Sequence, residues 1–169
     1  MKTPLINREF MGKKKLELGD VFELKTKKGN AYIQCVEIPN HNNRSELIKV
    51  FYQIYNEEPQ ELNSIINSDY FYTRFPVRIA AFRKIITKIG NITLPENFKS
   101  PEYYRDTNVF GTGWHIVNEK TYFRTHVDEL SAEQLKLSPW GGMNDTLIKE
   151  LLENGWRVEN WNDKNKIMK

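Results

Sequence analysis

The strongest constraint in the chain is the alternation of apolar and polar residues between positions 16 and 55, broken by Lys27, Lys28, Gly29 and Asn30. Successive side chains of an extended strand point to opposite faces, so a period of two marks strands with one face on a core. Phe22 and Leu24 share one face, and Glu23 and Lys25 the other. Gly29 suits the positive backbone angle of a tight turn, so the segment predicts a hairpin that returns over 31–38. Pro39, His41, Asn42 and Asn43 end it in a polar loop. A third strand is expected over 47–55, where Ile48, Val50, Tyr52 and Ile54 alternate with Lys49, Phe51, Gln53 and Tyr55.

Weaker signals order the rest. Asn56, Pro59 and the acids Glu57, Glu58 and Glu61 predict a short helix over 56–66. The β-branched content of 77–92 favours a strand bent or bulged near Arg83 and Lys84, although periodicity alone leaves strand and helix open. Residues 94–108, with Pro95 and Pro101, read as an irregular loop, and 113–127 as a second hairpin. Ser131 and Gln134 have capping-box spacing, and Pro139 stops that turn. From Asn144 or Asp145 a helix carries Leu147, Ile148, Leu151 and Leu152 on one stripe. Gly155 should end it in the left-handed conformation that folds Trp156 back over Leu151, before a last strand over 157–161. This order predicts an α+β fold: a small half-open antiparallel β-barrel or curled sheet, SH3-like in its start, covered by C-terminal helices.

At 169 residues the chain fits one domain, 1–169, with a flexible basic segment at 1–15 and a flexible tail at 162–169. Hydrophobic residues at 39% and charged residues at 28% belong to a soluble globular protein. The one cysteine, Cys35, has no intramolecular disulfide partner and reads as a small core hydrophobe. The N-terminus lacks the unbroken apolar stretch of a signal peptide, and the acid-free run 70–95 is interrupted by Arg74, Arg78, Arg83, Lys84 and Lys88. A cytoplasmic protein without membrane contact is therefore expected.

Catalytic signatures are missing: there is no G-x-S-x-G elbow, no phosphate-binding loop and no dinucleotide fingerprint. His115, His126, Asp128 and Glu129 form the one cluster resembling metal ligands, but without convergent short spacings, so neither metal nor other cofactor is expected. The same holds for enzymatic activity. Basic residues in 70–88 interleave with Tyr70, Phe71, Tyr72, Phe75 and Phe82, a composition shared by single-strand nucleic-acid surfaces and by half-buried strands. The net charge of +3 hides a division: residues 1–30 hold eight bases against four acids, and residues 119–163 five bases against nine acids. Such a division can orient a protein partner. Arg74, Arg78, Arg83, Lys84 and Trp140 are the candidate partner contacts, because arginine and tryptophan are enriched in binding hot spots and Trp140 lies in a Pro-Gly-Gly loop.

Gly19, Asp20, Val21 and Phe22, followed by Gly29 and then Ala31, Tyr32, Ile33 and Gln34, resemble the opening hairpin of the immunity proteins of bacterial polymorphic toxin systems, in particular the immunity protein 26 family. The match covers about the first quarter of the chain. The resemblance implies a small cytoplasmic antidote that binds a cognate toxin domain and blocks its active site or substrate groove, without catalysis or cofactor. The alternative from composition is a nucleic-acid-binding β-barrel module that uses 70–88.

Overall fold

The structure is a computed structural model that describes residues 15–41 and 43–162. The predicted flexible ends, apart from Lys15 and Asn162, lie outside the described residues. Two antiparallel sheets carry the fold, which is α+β, and neither closes into a barrel among the described residues. The larger has the order β4-β3-β2-β1-β5, formed by β1 (Asp20–Thr26), β2 (Gly29–Glu37), β3 (Glu46–Phe51), β4 (Tyr70–Phe75) and β5 (Ile86–Asn91). The smaller has the order β6-β7-β8, formed by β6 (Tyr103–Thr107), β7 (Trp114–Asn118) and β8 (Arg124–Val127).

The first hairpin forms where the alternation places it, with Phe22 opposite Ile33 and Leu24 opposite Ala31. Gly19 (φ +85°) starts β1: its N–H donates to the Cys35 carbonyl at 2.8 Å, and a Cβ there would strike the Ile92 carbonyl. Asp20 is buried and accepts hydrogen bonds from the Glu17 N–H and Asn91, with the Lys88 ammonium at 2.6 Å. On one face Phe22, Leu24, Ile33, Ile48, Val50 and Phe71 meet Ile148, Leu151 and Leu152 of α3 (Asp145–Glu153) and Val77 and Ala80 of α2 (Val77–Phe82). On the other face Tyr32 and Phe51 pack on Ile65 of α1 (Leu62–Ile66), while Val36 and Leu47 pack on Tyr104. Central strand β2 is thus covered on both sides, and residues 31–36 are all buried, in place of the one-sided packing read from the sequence.

Several expectations are corrected. The third strand ends at Phe51, one residue before the Tyr52 N–H makes a last in-register bond to the Asp69 carbonyl; Tyr55 keeps one isolated bridge to Asn30. The helix expected over 56–66 is confined to α1, where Glu61 holds the N-cap position without a side-chain bond. The segment 77–92 is helix α2 followed by strand β5, and the expected bend at Arg83 and Lys84 is their junction. The Glu46 carboxylate accepts the Val77 N–H at 3.0 Å and so caps α2 from another strand. The loop over 94–108 contains β6. The last segment is a 3-10 turn, Val158–Asn160, because its carbonyls are diverted to Arg105.

The α3 boundaries follow local chemistry. Asn144 accepts the Leu147 N–H at 2.8 Å, and at the far end Gly155 (φ +66°) lets the Trp156 N–H reach the Leu151 carbonyl at 2.9 Å. Ser131 and Gln134 form the reciprocal capping box over a single 3-10 turn, Gln134–Lys136.

Residues 138–143 stitch the two sheets together. On one side the Arg105 N–H donates to the Ser138 carbonyl and the Trp140 N–H to the Arg105 carbonyl; on the other, the Arg74 N–H donates to Gly141 and the Met143 N–H to the Arg74 carbonyl. Edge strands β4 and β6 therefore share one strap, which satisfies backbone groups that would otherwise be left open.

Candidate functional site

A cleft of about 400 Å³ opens where this strap meets the start of β3 and the β7–β8 turn. Arg74 forms its floor. The side chain is only 11% exposed, with one guanidinium nitrogen 2.7 Å from Glu37 and the other 2.6 Å from Glu119. Arg44 ion-pairs with the same Glu119 oxygen and lies 5.9 Å above the Tyr122 ring. Burial raises the Glu37 carboxyl, but the Ser100 hydroxyl, Arg74 and Arg44 outweigh it and hold Glu37 below the usual carboxylate range.

Aromatic rings form the walls. Trp140 stands edge-on to both Tyr104 and Tyr122, with centroids 5.8 Å away in each case. Burial pushes the Tyr104 phenol up to about 12, so it remains a hydrogen-bond donor at neutral pH, and its hydroxyl has no partner among the described residues. Asn118 builds the β7–β8 turn by accepting the Lys120 and Thr121 N–H groups, and this leaves Tyr122 (φ +58°) and Phe123 pointing outward. Phe123 is 68% exposed and Tyr103, beside Asn118 across the ladder, is also exposed, but neither lines the cleft. The site is therefore a set of aromatic walls, Tyr104, Tyr122 and Trp140, around a half-buried, internally paired arginine.

Of the sequence-derived contact residues, Arg74 and Trp140 meet at this cleft, with Arg74 committed to carboxylates of its own chain. Arg78, Arg83 and Lys84 do not line it; they lie on α2 and its C-terminal end, Arg78 with one contact to Glu46 at 3.3 Å. The stretch 70–88 is not one surface: in β4, Phe71 and Phe75 face the core while Tyr70 is exposed. Arg44, Glu119, Tyr104 and Tyr122, which line the cleft, were not singled out from the sequence; adjacent aromatics inside a polar turn, Tyr122 and Phe123, are the local signal that could have found Tyr122.

Parts of the acidic segment are paired within the fold. Glu119 takes Arg44 and Arg74, and Glu153 accepts the Lys27 N–H while its carbonyl takes the Lys28 ammonium.

His115 and His126 pair across β7 and β8 with ring centroids 5.8 Å apart, and the His126 Nε2 sits 3.0 Å from the Thr112 carbonyl. Among the described residues no three His, Cys, Asp or Glu side chains converge as ligands. Cys35 is fully buried, and burial pushes its thiol up to about 12, far from a reactive thiolate. No helix of the described residues is long and apolar enough to cross a membrane.

A second buried cation lies behind the strap. Arg105 is wholly inaccessible and donates to the carbonyls of Leu135, Leu137, Val158 and Trp161, with its guanidinium 4.8 Å from the Trp114 ring centroid and 4.7 Å from that of Trp161. No ion pair to a described carboxylate accompanies it. Burial lowers it to about 10, which leaves it cationic at neutral pH.

Comparison with known protein families, curated proteins and solved structures yields no match to this chain.

Proposed function

We propose that the chain is a non-catalytic immunity protein that acts in the cytoplasm by binding a cognate toxin domain and covering its active site or substrate groove. The observation that carries this reading is the cleft rim. Exposed Tyr122 beside Arg44, Trp140 and Tyr104 has the aromatic and arginine composition of a protein-binding hot spot, and a cleft of about 400 Å³ has room for an anchoring side chain. The resemblance of the Gly19 to Gln34 hairpin to the immunity protein 26 family supplies the toxin as partner, together with an SH3-like opening of the larger sheet. Coexpression with the product of the adjacent gene should give a stable complex and restore growth. Tyr122→Ala and Arg44→Ala should each weaken that complex by about tenfold or more while the chain stays folded. A complex indifferent to both substitutions would exclude this cleft as the contact.

The exposed Arg78, Phe82, Arg83 and Lys84 favour a second reading, a nucleic-acid-binding module. It requires binding of single-stranded oligonucleotides that falls steeply with salt.

A further inference from the structure

The two longer helices end in the same hydrogen-bonded motif with different residues at its left-handed position. After α3 the Gly155 N–H donates to Leu152 and the Trp156 N–H to Leu151; after α2 the Lys84 N–H donates to Ala81 and the Ile85 N–H to Ala80. The left-handed residue is Gly155 (φ +66°) in the first case and Lys84 (φ +58°) in the second. Glycine adopts this conformation freely, whereas the Cβ of a lysine crowds the neighbouring carbonyl. A cation near a helix C-terminus is favourable, but Arg83 already supplies that charge from an unstrained position. The left-handed turn at Lys84 ends α2 and leads into β5, but a glycine would make it without strain, so the fold alone does not account for a lysine there.

What surrounds Lys84 points outward. Neither the Arg83 nor the Lys84 side chain bonds to a described residue, Phe82 is 80% exposed and Ile79 is 55% exposed. Arg78 pairs with Glu46 at 3.3 Å, whereas no described carboxylate offsets Arg83 or Lys84, and the sequence from 70 to 95 contains no acid. Strained backbone positions of non-glycine residues cluster at ligand clamps and switch regions.

We propose that the C-terminal tip of α2, comprising Arg78, Ile79, Phe82, Arg83 and Lys84, is a docking surface for an acidic protein segment carrying an apolar residue, and that Lys84 occupies its strained position to make that contact. Charge complementarity selects the acidic partner, and the pair Ile79 and Phe82 selects its apolar residue. A single-stranded nucleic acid fits less well, because Phe82 is the one exposed aromatic of the tip and stacking of successive bases needs more. This surface is separate from the cleft and does not depend on it.

The test titrates the full chain with a synthetic peptide of glutamates flanking one leucine, followed by amide chemical-shift mapping. Shifts should concentrate on residues 78–85. Phe82→Ser and Lys84→Gly should each lower affinity about fivefold or more, while Lys84→Gly leaves the melting temperature unchanged or raises it by up to about 3 °C. Three results would overturn the proposal: shifts elsewhere on the molecule, unchanged affinity in Lys84→Gly, or tighter binding of oligothymidylate than of the peptide at this tip. Tyr122→Ala and Arg44→Ala leave this titration unaltered, so failure here and failure of the cleft reading are separable.

Discussion

Arg74 and Arg105 sit on the edge strands of different sheets and are bonded through their backbones to the same strap, yet their charges are balanced in opposite ways. Arg74 faces two carboxylates, at the floor of an open cleft. Arg105 faces four backbone carbonyls and two indole rings, with solvent excluded. A carboxylate partner can be protonated or recruited elsewhere, whereas a carbonyl or a ring cannot. The first arrangement is responsive; the second is permanent.

The largest effect is expected at the permanent one. Arg105→Met removes five donors from a dry site and takes the guanidinium from the carbonyls of Leu135, Leu137, Val158 and Trp161, of which Val158 alone keeps a backbone donor, the Trp161 N–H, at a cost of about 3–5 kcal/mol in urea unfolding. Arg105→Lys should recover little, because an ammonium cannot span the four acceptors or lie flat between the rings. Full stability in the lysine variant would mean that charge alone, not the planar fork, holds the site.

At the responsive one, Arg74→Met should cost about 2 kcal/mol at neutral pH, with Arg44 still holding Glu119. Its pH dependence is the sharper test. The Glu37 carboxyl is held below its ordinary value in the folded chain, so its contribution is complete above the unfolded value and is lost as pH falls through the folded one. The wild-type protein should therefore lose stability between about pH 5 and 3, and the difference from Arg74→Met should shrink over that range. A constant difference would show that Glu37 is not the titrating partner.

The smallest effect belongs to the helix ends. A Cβ added at Gly155 would meet no atom within 4 Å, so Gly155→Ala causes no clash and reports the left-handed conformation alone. It should cost about 1 kcal/mol by thermal denaturation. Together with Lys84→Gly, it probes one backbone position twice, adding a Cβ at one helix end and removing it at the other.

The contrast also explains what could be read in advance. The first hairpin and α3 are written locally, in the alternation around Gly29 and in the stripe between Asn144 and Gly155. The α2 segment spans six residues, less than two helical turns, and its cap is Glu46, a residue of another strand. Strand β6 reads as a loop because Pro95 and Pro101 precede it and no periodicity marks it; what makes it a strand is the pairing with β7 and the strap beyond. The cleft was half visible: Arg74 and Trp140 were named, but the role of Arg74 depends on Glu37 and Glu119, which approach only when both sheets are assembled.

The carbonyl cage around Arg105 also bears on how the chain is assembled during synthesis. Its acceptors lie 30 to 56 residues downstream, the last of them on Trp161. The smaller sheet can pair its strands as soon as β8 has emerged, but the guanidinium remains hydrated until that final segment arrives. A nascent chain arrested before Trp161 should hold β6, β7 and β8 in register without locking them, and the arrival of Trp161 becomes the step that expels water from around Arg105.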